Sequence, residues 1–102
     1  MNIVAVTACP TGIAHTYMAA EALEKAAKKL GYKIKVETQG AMGVENRISK
    51  AEIVEADLVI FAVDVSVKEE SRFKEKPTFK IGAQKAIKNA TAVIEEALKL
   101  LG

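Results

Sequence analysis

The sequence predicts an α/β fold, a three-layer α/β/α sandwich around a four-stranded parallel sheet with strand order 2-1-3-4. Residues 2–8 and 57–63 are nearly continuous apolar runs, which are typical of central strands buried on both faces. Two further strand-like segments and the helical patterns between them fit right-handed crossovers, with helices on both faces of the sheet. The chain length of 102 residues predicts a single domain over residues 1–102.

The first half of the chain predicts one long helix, followed by a strand and a turn. The helix spans residues 14–30, where small and apolar residues recur at three- and four-residue spacing, and Gly31 caps its end. Residues 32–38 alternate, so we expect a half-exposed edge strand with Lys33, Lys35 and Glu37 on its outer face. Residues 39–43 predict a glycine-punctuated turn.

The second half predicts two short elements and a helical tail. Ser49 and Glu52 form a capping-box pattern, which predicts a short helix ending near Ala56. Residues 68–76 are highly charged and predict a solvated loop with room for one helical turn. Residues 77–81 predict a short edge strand that opens on proline. The tail from Gly82 onwards is helical, with Asn89 as an internal N-cap.

Composition excludes several classes of protein. A net charge of +2 gives no electrostatic reason to expect nucleic-acid binding or attraction to an anionic membrane. No apolar run is long enough to span a bilayer, and the single cysteine favours a reducing, cytoplasmic compartment. Neither a cluster of metal ligands nor a nucleotide-binding fingerprint is visible, so we expect no metal and no cofactor.

The segment between the first strand and the first helix is the candidate site. It reads Cys9-Pro10-Thr11-Gly12-Ile13-Ala14-His15-Thr16. Ligands of open α/β sheets bind at the carboxyl ends of the strands, and loop amides beside a helix N-terminus favour an anion such as phosphate. The same groups stabilise a thiolate. We therefore predict that Cys9 is a nucleophile that carries a phosphoryl group.

The seven residues after the cysteine are predicted to cradle the phosphate. Backbone N–H groups can meet the equatorial oxygens, the hydroxyls of Thr11 and Thr16 can add donors, and Gly12 allows a close approach of the main chain. Pro10 stiffens the start of the loop. A direct contact of His15 with phosphate and a helix-start role for it are equally open. Asp64 should lie nearby, as a functional residue or merely as a cap.

This loop, with the Tyr17-Met18-Ala19-Ala20-Glu21-Ala22-Leu23 that follows, resembles the phosphorylation-site signature of fructose-family IIB domains. These domains belong to the bacterial phosphoenolpyruvate-dependent sugar phosphotransferase system (PTS). The similarity extends through Glu37-Thr38-Gln39-Gly40 and covers essentially the whole chain. The resemblance implies that Cys9 accepts phosphate from a phosphohistidine of the IIA component. It further implies transfer to fructose or a related sugar bound in the membrane IIC component, at the inner face of the membrane.

Two other functions stay open on the residues alone. A low-molecular-weight tyrosine phosphatase also places a cysteine loop after its first strand, but its arginine position is occupied here by His15. Histidine cannot reproduce the two parallel hydrogen bonds of a guanidinium, which favours a carrier over a phosphatase. The other alternative is a module that senses phosphate without catalysis.

Overall fold

Five strands form one sheet in a computed structural model that describes residues 1–10, 13–40 and 43–101. The strands are β1 (Asn2–Ala8), β2 (Lys33–Gly40), β3 (Gly43–Glu45), β4 (Leu58–Val63) and β5 (Thr78–Ile81). Their order is β3-β2-β1-β4-β5. The two continuous apolar runs are thus β1 and β4, which lie side by side with Ala8 opposite Val63.

The prediction of four parallel strands is correct only in part. Strands β2, β1, β4 and β5 are parallel and stand in the predicted relative order, but β3 adds a fifth, antiparallel strand beside β2. The predicted turn over residues 39–43 belongs to this hairpin, in which Gly40 pairs with Gly43; Ala41 and Met42 lie outside the described residues. Since β3 covers the carboxyl half of β2, that half is not an edge.

Helices cover both faces of the sheet, as predicted for three layers. The elements are α1 (Ile13–Leu30), α2 (Lys50–Glu55), α3 (Ala83–Lys88) and α4 (Ala90–Leu98). Helices α1, α3 and α4 cover one face, where the larger apolar core contains Leu23, Ile60 and Ile94. The opposite face is covered by α2 and a 3₁₀ turn at Glu70–Phe73, over a smaller core that includes Phe61 and Phe73.

Local capping signals are confirmed in the structure. Ser49 caps α2: its hydroxyl accepts the N–H of Glu52 at 3.1 Å, and the Glu52 carboxylate accepts the N–H of Ser49 at 2.8 Å. Asn89 separates α3 from α4, and its side chain accepts the N–H of Ala92 at 3.2 Å. These bonds satisfy helix amides that have no partner within their own helix.

One expectation about exposure was wrong, and a second was confirmed only in part. Glu37, expected on an outer strand face, is fully buried. Most of residues 68–76 are exposed, as expected for a solvated loop, and the segment contains the 3₁₀ turn. The exception is Phe73, which is buried against Phe61 with the ring centroids 5.4 Å apart. Glu37 is buried together with a partner from the charged segment, since Arg72 forms an ion pair with it.

Within the described ranges, none of the helices combines the length and apolar character needed to cross a bilayer.

Candidate functional site

The candidate site lies at the carboxyl edge of the sheet, where β1 ends between its two neighbours. Thr7 pairs with Thr38 of β2, and Ala8 pairs with Val63 of β4. Cys9 is the next residue of the chain. Because β1 is the central strand and its side chains are buried, it fixes the position from which Cys9 leaves the sheet.

Cys9 and His15 are brought together by the change from strand to helix. The Cys9 sulfur lies 3.8 Å from Nδ1 of His15, a distance within hydrogen-bonding range for sulfur. Cys9 is half-buried at the rim of the larger core, whereas His15, in the first turn of α1, is exposed. The thiol thus combines a polar neighbour with access to solvent.

The other predicted cradle residues differ in their surroundings. Pro10 and Ala14 are exposed, and Ile13 begins α1. Thr11 and Gly12 lie outside the described residues. The predicted hydroxyl and backbone contributions of these two residues therefore stay predictions.

Thr16 anchors the start of α1 to the central strand. Its carbonyl oxygen accepts a hydrogen bond from the hydroxyl of Thr7 at 3.0 Å. The Thr16 side chain is itself buried, and its hydroxyl has no hydrogen-bond partner among the described residues. Burying a hydroxyl without a hydrogen-bond partner costs about 1–3 kcal/mol of stability. The Thr16 hydroxyl can therefore donate a hydrogen bond to a ligand at the first turn of α1.

Asp64 lies beside the cysteine, as the sequence predicted. Its N–H donates to the carbonyl oxygen of Ala8 at 3.0 Å, which continues the pairing of β4 with β1 by one residue. Its side chain is exposed and approaches Gly82, where an added Cβ would lie 3.1 Å from Oδ1.

A buried polar cluster beside this edge escaped the sequence reasoning. The carboxylate of Glu37 accepts hydrogen bonds from both terminal nitrogens of Arg72, at 3.0 and 2.9 Å. It also accepts from the amide of Gln39 at 2.7 Å and from the backbone N–H of Ile48 at 2.9 Å. Burial raises the pKa of Glu37, but these hydrogen bonds together lower it by a larger amount. The pKa of Glu37 therefore lies below its usual value.

The only sequence signal for this cluster was the Glu37-Thr38-Gln39-Gly40 stretch, which carried part of the family resemblance. The glycine pattern there predicts only a turn that begins at Gln39. Gln39 is buried instead, and it spans from Glu37 to the backbone of Lys68. Its partners are distant in sequence, so no local spacing could have shown them.

A second contact missed by sequence reasoning joins α1 to the hairpin. The phenol of Tyr17 donates a hydrogen bond to the carboxylate of Glu45 in β3. Tyr17 and Met18 are both exposed, next to His15 along the chain. The first turns of α1 therefore present an aromatic and a thioether side chain to solvent.

These features define an α/β protein that presents a cysteine between its central strand and the following helix. The family model described as the lactose/cellobiose-specific IIB subunit of the PTS matches residues 4–96. Fructose-like EIIB component 2 of Escherichia coli K12 is 49% identical over 95 residues, which cover 93% of this chain and 90% of that protein.

Two further comparisons agree. The fructose-specific EIIB'BC component of Xanthomonas campestris is 52% identical over 101 residues; the match covers 99% of this chain but 17% of that protein. A crystal structure of a domain from the fructose-specific IIABC component of Borrelia burgdorferi has a TM-score of 0.92 at 50% identity. It covers 96% of this chain and 93% of that one.

The chain belongs to the IIB family of the phosphotransferase system. The resemblance to its fructose-type members is thereby confirmed. The IIB components are phosphotransferases that carry phosphoryl groups in sugar uptake, working with IIA and IIC components.

Proposed function

We propose that Cys9 is the residue that carries the phosphoryl group. The proposed phosphate cradle consists of the seven residues that follow it, Pro10, Thr11, Gly12, Ile13, Ala14, His15 and Thr16. The observation that carries the proposal is the position of the thiol at the carboxyl end of the central strand, 3.8 Å from His15 and just before the N-terminus of α1. A helix N-terminus favours both a thiolate and a phosphate.

The proposed reaction has two in-line displacements. In the first, the Cys9 thiolate attacks the phosphorus of a phosphohistidine, an S–P bond forms, and the N–P bond breaks, leaving its electron pair on the imidazole of the donor. In the second, a sugar hydroxyl oxygen attacks the same phosphorus, the S–P bond breaks, and the thiolate is regenerated. The hydroxyl proton passes to a base or to water, and no oxidant or metal is needed.

The donor is the phosphorylated IIA component, and the acceptor is fructose or a related sugar bound in the membrane IIC component. The name of the Xanthomonas relative, an EIIB'BC component, supports the IIC partner. Similarity to fructose-like proteins supports fructose over the sugars named in the family model. In this proposal residues 1–102 act as one cytoplasmic domain, held at the inner face of the membrane through IIC.

The engagement of both arginines weighs against a phosphatase. The sequence contains only Arg47 and Arg72. Arg47 forms an ion pair with Glu69, and Arg72 is committed to the buried Glu37. A phosphatase needs a guanidinium at the phosphate, and the position that would supply it is occupied by the imidazole of His15.

Intact-protein mass spectrometry tests the proposal. The chain is incubated with phosphoenolpyruvate, the general phosphotransferase proteins and a fructose-type IIA, in parallel with Cys9→Ser. We expect the wild type to gain one phosphoryl group and the variant to gain none, because a serine hydroxyl is far less acidic than a thiol.

Two results would contradict the proposal. One is a gain of phosphate by Cys9→Ser at the wild-type rate. The other is no gain by the wild type while the IIA component is demonstrably phosphorylated, which would favour a sensing module. Rapid release of phosphate from an aryl ester would favour the phosphatase instead.

A further inference from the structure

The loop that leaves β4, residues 64–69, is held in place beside Cys9 by buried side chains. This segment, here termed the 64–69 loop, starts at Asp64, whose N–H donates to Ala8 immediately before the cysteine. Asp64, Val65 and Ser66 are exposed, whereas Val67 is buried in the smaller core. The loop therefore presents three consecutive residues to solvent at the rim of the site.

The far end of the 64–69 loop is clamped to β2 by Gln39. The N–H of Lys68 donates to Oε1 of Gln39 at 2.8 Å, and Nε2 of Gln39 donates to the carbonyl oxygen of Lys68 at 3.2 Å. The side-chain amide thus pairs with both backbone groups of one loop residue, as a neighbouring strand would. Because β1 lies between β2 and β4, this bridge crosses over the carboxyl end of the strand that positions Cys9.

Arg72 adds a second hold on the same turn. Its Nε donates to the carbonyl oxygen of Glu69 at 3.0 Å, and its Nη2 lies 3.4 Å from the carbonyl oxygen of Lys68. The two terminal nitrogens bond to Glu37, and the guanidinium also lies 4.7 Å from the ring centroid of Phe73. The planar guanidinium is therefore fixed on several sides, and the loop carbonyls are fixed with it.

The backbone of the loop shows that this hold acts against a local preference. Glu69 has φ 56° and ψ 39°, the left-handed region that a residue with a side chain rarely adopts. Such a conformation persists only where surrounding contacts enforce it, and it is enriched at functional sites. The buried ion pair of Glu37 and Arg72 supports the same conclusion. A buried ion pair is weak evidence for added stability, and in this protein we interpret it as holding the loop in one conformation.

We infer that Glu37, Gln39 and Arg72 are positioning residues, which hold the 64–69 loop as a recognition surface for the protein that donates the phosphoryl group. The inference rests on the proposed function of Cys9. Val65 is 41% exposed, and the loop also walls a groove of about 450 Å³ whose other side carries Lys80 and Glu70. An apolar side chain beside an open polar groove suits a protein surface docking next to its phosphohistidine.

The test compares Gln39→Ala with Lys35→Ala in steady-state transfer from the phosphorylated IIA component. Lys35 lies on the same face of β2 but contacts Glu52 of α2, away from the loop, so it is the matched control. For Gln39→Ala we expect the KM for the donor to rise about fivefold to twentyfold with kcat nearly unchanged. In this variant the loop must become ordered when the donor binds, and the lost conformational entropy weakens binding. Amide hydrogen exchange should also become faster in residues 64–69.

Other outcomes overturn the inference. Faster exchange in the loop with an unchanged KM would mean that the loop is ordered for another reason, and a fall in kcat alone would place Gln39 in the chemical step. If Gln39→Ala does not fold, Val65→Arg decides, because this exposed substitution should raise the same KM. Phosphorylation of Cys9 in the wild type is a separate check on the proposed function. If the wild type gains no phosphate on Cys9, the carrier proposal itself fails.

Discussion

At the scale of single residues, Glu37 is the most consequential group outside the cysteine loop. It is a fully buried carboxylate whose hydrogen bonds come from a guanidinium, an amide and a backbone N–H. Removing one partner of such a pair leaves the other charge poorly solvated, which costs more than the pair contributes. We therefore expect Glu37→Gln to lower the free energy of unfolding at pH 7 by on the order of 3 kcal/mol.

The pH dependence of stability gives a sharper test of the same residue. The pKa of Glu37 is lower in the folded protein than in the unfolded chain. Its contribution to stability is therefore fully present at pH values above the pKa of the unfolded chain, and it is lost as the pH falls through the lower pKa of the folded protein. Urea denaturation should show wild-type stability decreasing below a pH of about 4.5, the ordinary glutamate value, with a shallower decrease in Glu37→Gln.

The exposed pair of Arg47 and Glu69 provides a control for both measurements. Glu69→Gln removes a carboxylate from an arginine in the same way, but both side chains are about half exposed. The loss in stability should be much smaller than for Glu37→Gln, since solvent screens exposed pairs. Equal losses in the two variants would contradict a special role for the buried carboxylate.

At the scale of elements, the features that the sequence predicted depend on residues close together in the chain, whereas the features that it missed depend on contacts between distant residues. The continuous apolar runs predicted β1 and β4, because a strand covered on both faces needs apolar residues at every position. The capping box at Ser49 is equally local and was also predicted. Strand β3 has only three residues, of which the first is Gly43, and this is too few for any periodicity to show.

The same division holds within the candidate site. The position of Cys9 between β1 and α1 followed from the order of strand, loop and helix. The sequence left the role of His15 open, and the structure places its Nδ1 3.8 Å from the Cys9 sulfur. The burial of Glu37 did not follow, because an alternating charge normally marks a solvent face and its arginine lies 35 residues further along the chain. Gln39 was missed for the same reason, since its loop partner is 29 residues away.

The junction between α3 and α4 offers a test of a purely local signal. Asn89 caps α4 by accepting the N–H of Ala92, so Asn89→Ala should lower the free energy of unfolding by about 1 kcal/mol. Lys88→Ala, at the neighbouring position, is the matched control because Lys88 ends α3 without this capping role. Urea denaturation midpoints measure both, and an Asn89→Ala variant as stable as Lys88→Ala would show that the cap contributes little.

At the scale of the whole molecule, exposed apolar side chains lie at both edges of the sheet, but those at the carboxyl edge flank the cysteine. Met18 is 50% exposed and lies three residues after His15, on the same side of α1. Val65 is exposed at the same edge. Val54, 65% exposed near the end of α2, lies instead toward the opposite edge, where β4 begins. Exposure alone therefore does not identify a docking surface, and the proposed role of Cys9 is what favours the carboxyl edge.

This asymmetry predicts different kinetic effects for two similar substitutions. If the donor also docks over the start of α1, Met18→Ser should raise the KM for the phosphorylated IIA component about threefold to tenfold, because it removes an exposed apolar side chain close in sequence to Cys9. Val54→Ser removes a comparable exposed side chain far from Cys9, so its KM should equal that of the wild type. Thermal unfolding should show little change in either variant, since both positions are exposed. An unchanged KM in Met18→Ser, or an equal rise in both variants, would mean that the donor does not dock over the start of α1.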